Sequence, residues 1–407
     1  MRKFTVLLLL TGLWFSVAAG GYQVGLHGHK QIGMGLVGTS LTFDASSMFY
    51  NPGGLAFMPP KFSFAAGISG ITAYTAFRKQ SPSLTTALTD NPLGTPFYFY
   101  GAMKISERVS AGLAINTPFG NGLSWGKNWE GRYLIQDISL KAIFYQPTLS
   151  FKINDQLAIG AGFVYATGDF EINKALPVFD ANGEGSVNLK GSTSNFGFNA
   201  GILYRPIKGL SLGIDYRSSV DMEADDVKAT FDVPLSLQGN FPNTTVTTTL
   251  PLPANLDFGV SYNFSEKFLL AMSLNYVFWS SYDSLIFDFA DNTASLADSR
   301  NPRLYSDKLI IRLGGQYTLS ESLQIRAGGY YDPSPVNSDY FSPETPSLNS
   351  IGITAGLSYY PVKKLAIDLS FLYINGQEGD RSYNPDNFSG TYKTYSYIPG
   401  IGITYNF

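Results

Sequence analysis

Six short polar breaks punctuate this chain, at Ser106-Glu107-Arg108, Asn154-Asp155, Ile207-Lys208-Gly209, Ser265-Glu266-Lys267, Ser320-Glu321-Ser322 and Val362-Lys363-Lys364. They recur every 43 to 58 residues. Each is flanked by two runs of about ten residues in which apolar side chains alternate with small or polar ones, the period of a strand with two unlike faces. Longer stretches rich in Asn, Asp, Pro, Ser and Gly separate one such pair from the next. Strand, short turn, strand, long loop is the rhythm of a transmembrane barrel with short turns at one rim and long loops at the other. Dividing the chain this way predicts fourteen strands, from 61–72 to 392–407, in an all-β antiparallel barrel. An even count closes the sheet without an edge, which lipid demands because it offers unpaired backbone groups no partner.

The last strand shows the pattern most clearly. Tyr395, Tyr397, Pro399, Ile401, Ile403, Tyr405 and Phe407 share one parity, and Ser396, Gly400, Gly402, Thr404 and Asn406 the other, broken by Ile398. A sandwich strand would carry Lys or Glu on its solvent face, and this one carries neither. Charged residues make up 14% of the chain, against roughly 25% in a soluble domain. The net charge of -3 leaves no basic face for nucleic acid. There is no Cys, and His27 and His29 are the two histidines, both ahead of the first strand. No nucleophile, acid/base pair, metal-ligand set or phosphate loop stands out, so neither an enzyme nor a cofactor is expected.

Residues 1–19 read as a secretion signal, with Arg2 and Lys3 followed by an apolar run to Phe15 and small residues at Val17-Ala18-Ala19. Residues 20–60 are Gly-rich and partly aromatic and end in Met58-Pro59-Pro60. A fourteen-stranded lumen is wider than wall side chains can fill, so this segment is expected to fold back as a plug. The barrel proper then occupies 61–407.

Parity also sorts the charges. Arg217, Arg312 and Arg326 fall on the lumen side of their strands, with Asp215, Asp257 and Asp368 as neighbours; Lys141 is a further candidate on a strand that alternates poorly. A lipid-facing Arg or Lys at mid-depth costs roughly 2–4 kcal/mol, and an inward guanidinium either pairs with those aspartates and organises the interior or holds a carboxylate headgroup. Phe119, Leu123, Trp125, Trp129, Leu285 and Phe287 in the long loops leave two readings open, first capture of something hydrophobic or the packing of loop against loop. A porin for ions or sugars would place charges there.

The segment Gly20-Gly21-Tyr22-Gln23, then Gly33-Met34-Gly35, then Asp44 through Tyr50-Asn51-Pro52-Gly53-Gly54-Leu55-Ala56 resembles the N-terminal hatch of the outer-membrane long-chain fatty acid transporter family, which includes channels for toluene and other aromatic hydrocarbons. The family signature is Asn-Pro-Ala, and here it reads Asn51-Pro52-Gly53. Thr117-Pro118-Phe119-Gly120, Asp215-Tyr216-Arg217-Ser218, Trp279-Ser280-Ser281-Tyr282, Arg326-Ala327-Gly328-Gly329-Tyr330 and the closing Gly402 to Phe407 extend the resemblance along the barrel. It implies a monomer in the outer membrane of a Gram-negative cell, inserted by the barrel assembly machinery among lipid and lipopolysaccharide. It also implies passive transport of long-chain fatty acids from an external groove to an internal site, with hatch rearrangement and lateral exit at a strand kink near Gly112, Asn116, Pro118 and Gly120. A channel for uncharged aromatics, or a surface adhesin or receptor, are the competing readings.

Overall fold

The computed structural model describes residues 21–80, 84–180 and 183–407; the secretion signal read at 1–19 lies outside them. The described chain is a closed antiparallel barrel of fourteen strands. Closure comes from the first strand segment, Phe62–Ser69, which pairs with Phe97–Lys104 on one side and with the last strand, Phe388–Asn406, on the other. All six polar breaks are tight turns, and they lie at one rim. Along the wall, large apolar side chains face outward, among them Leu149, Phe163, Phe198, Ile353 and Ile401, each more than 45% exposed. In water such a belt would be untenable, and in lipid it is the ordinary outer surface.

Several connections differ from their expected form: Val220–Asp232 and Thr244–Leu252 pair where a loop is expected, and the strand expected at 109–117 runs on to Ser124. The strands read as 156–167 and 192–205 run on as Leu157–Asp180 and Gly183–Tyr204, paired in register almost to their tip. The alternation persists there, with Ile172, Ala175, Val187 and Leu189 buried and Glu171 and Lys190 paired outside. Beyond the membrane the outward positions turn polar, so the lipid-facing signature ends before the strands do. The first strand is likewise longer than expected, resuming at Thr72–Lys79 after a break at Gly70 and Ile71.

The lumen is filled by residues 21–58. Ile32, Met34, Val37, Met48 and Leu55 of this hatch are fully buried, and three short helical turns, His29–Ile32, Ser47–Tyr50 and Pro52–Phe57, carry it across. Its polar groups are tied to the wall. Lys30 Nζ lies 2.8 Å from Asp44 and 3.7 Å from Asp368 and donates to Thr404. Burial alone would discharge this lysine, but the two carboxylates outweigh it and raise its pKa.

Asn51 caps the last turn by accepting from the Gly53 N–H at 3.0 Å, and its amide donates to the Thr39 and Ile202 carbonyls. A Cβ at position 53 would lie 3.0 Å from the Gly201 carbonyl and 3.1 Å from that of Ala158. Glycine in place of the family's alanine therefore fits a wall that comes unusually close. Gly314 is closer still, since a side chain there would overlap the Met34 backbone.

Candidate functional site

Two apolar spaces remain beside the hatch. The upper one is a narrow slot lined by Phe119, Leu252, Met222, Leu285 and Phe287, with Tyr22 of the hatch beside them. The lower one lies between hatch residues 23–26 and the wall side chains Ile310, Leu372, Ile374 and Ile398, with Arg312 and Asp332 as its charged lining. Tyr22 faces the first space and Gln23 and Val24 the second, so one short hatch segment partitions them.

That segment is held by a broken strand seam. The strand Val109–Ser124 loses register with its neighbour Asp137–Lys152 between Asn116 and Phe119. Its pairing with Phe97–Lys104 stops at Asn116. A bulge at this point leaves backbone groups unmatched, and the hatch takes them up. Val24 N–H donates to the Pro118 carbonyl at 2.8 Å and Gly120 N–H to the Tyr22 carbonyl at 3.0 Å. Asn116, Pro118 and Gly120 thus lie at the discontinuity. Gly112 lies below it in regular pairing, packed against Met48.

The four cations nominated by parity separate once their partners are seen. Arg217 donates to Gln146 at 3.0 Å and to the Phe49 carbonyl at 2.8 Å, and its guanidinium rests 4.1 Å over the Phe49 ring. Arg326 donates to Gln316, Gln324 and Ser358. Both are committed to holding the hatch or the wall. Among the described residues Arg312 donates to the Leu36 carbonyl at 3.4 Å and to Asn275 at 3.1 Å, its charge acts on buried Asp257, and its buried Nε has no partner. It is the one of the three that lines an apolar pocket. Lys141 is exposed on the same parity as lipid-facing Tyr145 and Leu149, and it is among the residues that line the slot. In the hatch, His27 stacks on Phe49. Burial, and then Arg217 and Arg312 close by, hold its pKa well below the usual value.

The loop aromatics divide as well. Phe119, Leu285 and Phe287 line the slot. Leu123, Trp125 and Trp129 are buried in a cluster with Phe77, Phe341 and Tyr392. The two indoles there stack 4.4 Å apart and donate to the Pro343 and Ile135 carbonyls. They build the wall behind the slot.

Sequence reasoning missed the Arg303–Glu344 ion pair above the slot, with Arg303 buried among Tyr282, Tyr305 and Tyr383. Loops carry no parity, so no signal in the chain pointed there. Tyr22, by contrast, stood inside a quoted hatch motif. Its ring contacts Trp279 at 5.1 Å and Tyr282 at 5.9 Å, and its hydroxyl donates to the Pro251 carbonyl.

A family model described as outer membrane protein transport protein (OMPP1/FadL/TodX) matches residues 12–407. The long-chain fatty acid transport protein of Salmonella typhi is 24% identical over 433 residues, covering 99% of this chain and 97% of that one. Among solved structures, a Pseudomonas aeruginosa FadL homologue superposes with a TM-score of 0.80 at 19% identity, covering 97% of this chain and 100% of that one. The Pseudomonas putida toluene transporter TodX superposes at 0.74 and 17% identity, with 96% and 100% covered.

Proposed function

Because this chain belongs to the outer membrane protein transport family, a family of transporters and not of enzymes that carries hydrophobic compounds across the outer membrane, we propose that its cargo is a long-chain fatty acid. The observation that carries this reading is Arg312. An under-partnered guanidinium in the lining of a pocket walled by Ile310, Leu372, Ile374 and Ile398 matches a carboxylate with an alkyl tail. Each CH₂ placed against such walls gains about 0.8 kcal/mol, so a long chain is retained without an energy source.

In this account cargo enters the slot between Leu285, Phe287 and Phe119 and meets Tyr22. Passage to the lower pocket requires the segment 22–24 to leave the bulge at Pro118 and Gly120. The same movement uncovers the unpaired seam, through which cargo leaves sideways into the membrane. Four hydrogen bonds, the two backbone ones at the bulge, the Tyr22 hydroxyl to Pro251 and the Gln23 amide to Asn255, hold this partition together with a set of ring contacts, each bond a net contribution of about 1 kcal/mol.

A channel for uncharged aromatics is the second reading, and the slot favours it. Its deeper lining is apolar, and the charged side chains bordering it are Lys141, Asp169 and Glu344 at its margins. Measuring equilibrium binding of oleate and of toluene on the same purified protein separates the two. Tight oleate binding with weak toluene binding supports the fatty acid, and the reverse order refutes it. An adhesin fits less well, because the loop tryptophans are packed inward and not displayed.

A further inference from the structure

The short-turn rim holds a cavity that the transport route leaves unused. A cavity of about 550 Å³ lies between hatch residues 40–43 and the turn 205–209, which joins the strands Gly183–Tyr204 and Leu210–Arg217. Arg205 sits in its wall. The guanidinium lies 4.4 Å over the Phe57 ring and donates from Nη2 to Thr42 Oγ1 at 2.6 Å, so its position is fixed. Yet its Nε is buried with no partner.

Among the described residues no carboxylate compensates it. Burial is the one influence on its pKa, which is lowered. The single acid lining the space, Asp155, is 2.7 Å from Lys152. A second orphan belongs to a lining residue: Ser40 is 2% exposed, and its hydroxyl is buried without a partner among the described residues. Native proteins rarely leave buried donors unmet, and a charged one least of all. Lys208 adds positive charge at the rim, and Leu41, Phe43 and Leu269 supply an apolar floor.

We propose that this rim is a binding site for an oxyanion headgroup on an apolar stem, a carboxylate or a phosphate, held by Arg205 and Ser40 with Lys208 at the entrance. Arg suits either group because its fork donates in one plane. Two sources supply that chemistry at this rim, a fatty acid released from the barrel and a phospholipid of the adjoining leaflet. The site does not depend on Arg312 and stands or falls apart from the cargo reading.

The test is photolabelling of the full chain in lipid nanodiscs with a diazirine-bearing fatty acid and, separately, a diazirine-bearing phosphatidate, with labelled peptides mapped by mass spectrometry. Label is expected on 40–43 or 205–211. Arg205→Gln reduces it about tenfold, the scale of one charge-assisted contact, and Arg205→Lys restores much of it. Ser40→Ala, which leaves the guanidinium in place, reduces it about threefold and serves if the Arg variant does not reach the folded, heat-modifiable form. Label from the fatty acid alone assigns the site to cargo, and label from the phosphatidate alone assigns it to lipid; either supports the site. No label on these segments, or equal label in a folded Arg205→Gln protein, overturns it. Loss of this label in Arg312→Gln would overturn its independence.

Discussion

Replacing Arg312 by Gln removes a charge from the lower pocket while keeping an amide that can still reach Asn275. The structural cost has two parts, the lost hydrogen bonds and the lost charge beside buried Asp257. The contacts of Arg312 to Leu36 and Asn275, at 3.4 and 3.1 Å, are longer than the favoured N–H···O distance of about 2.9 Å, and about 1 kcal/mol covers their loss. The cost to a bound carboxylate is larger, roughly 1.5–3 kcal/mol for a hydrogen bond to a charged group, or about 10- to 100-fold in Kd. Toluene makes no such contact, and its affinity changes by less than about twofold. The assay is equilibrium binding of oleate and toluene to wild type and variant in the same detergent. Arg217→Gln serves as a contrast, because Arg217 props Phe49, and its loss lowers thermal stability. Oleate affinity unchanged in a folded Arg312→Gln protein, or oleate and toluene affinities falling together, would refute the headgroup role.

Three further outcomes follow from the hatch. Val24→Pro deletes the donor to Pro118, so deuterium exchange at the Gly120 amide and cargo flux into proteoliposomes should both rise, and a slower flux would count against the seam as the exit. Lys30→Met leaves Asp44 and Asp368 facing each other without their cation; breaking a buried pair costs about 3–5 kcal/mol, read as a lowered urea midpoint for hatch release.

The third outcome concerns pH. Burial disfavours charge on His29, which bonds Ser370 and whose pKa falls from 6.5 to about 4. Between those values the undocked hatch binds the proton and the docked one does not, so docking is at full strength above pH 6.5 and weakens as pH falls toward 4. At about 1.4 kcal/mol per unit this amounts to about 3 kcal/mol. Exchange of amides 27–33 should accelerate over that range, and His29→Asn should abolish the acceleration.

The barrel was legible because lipid enforces a two-residue period on every crossing strand. Arg217, Arg312 and Arg326 could be placed on the lumen side from that period alone, and all three are there. Parity says nothing about partners, however. That Arg217 props Phe49 while Arg312 keeps a free Nε depends on how residues 21–58 thread the lumen, and those contacts join positions hundreds of residues apart. The strands 157–180 and 183–204 were cut short because their outward positions turn polar above the membrane, where Glu171 and Lys190 replace Phe163 and Phe196. Lys141 belongs to that same outer zone, which explains both its weak alternation and its exposure. The loop tryptophans were visible as aromatic residues, but whether they open a groove or back a wall depends on Phe77 and Tyr392 arriving from distant strands.

The central claim is that one molecule of cargo rests beside the hatch with its head at Arg312 and its tail between Leu372, Ile374 and Ile398. A crystal structure with a terminally brominated fatty acid, read by anomalous scattering, tests it most directly. The expected result is a bromine peak in the lower pocket, among Leu372, Ile374 and Ile398, with carboxylate density within hydrogen-bond distance of Arg312. Bromine only on the outer lipid-facing wall, or a carboxylate pointing away from Arg312, would contradict it.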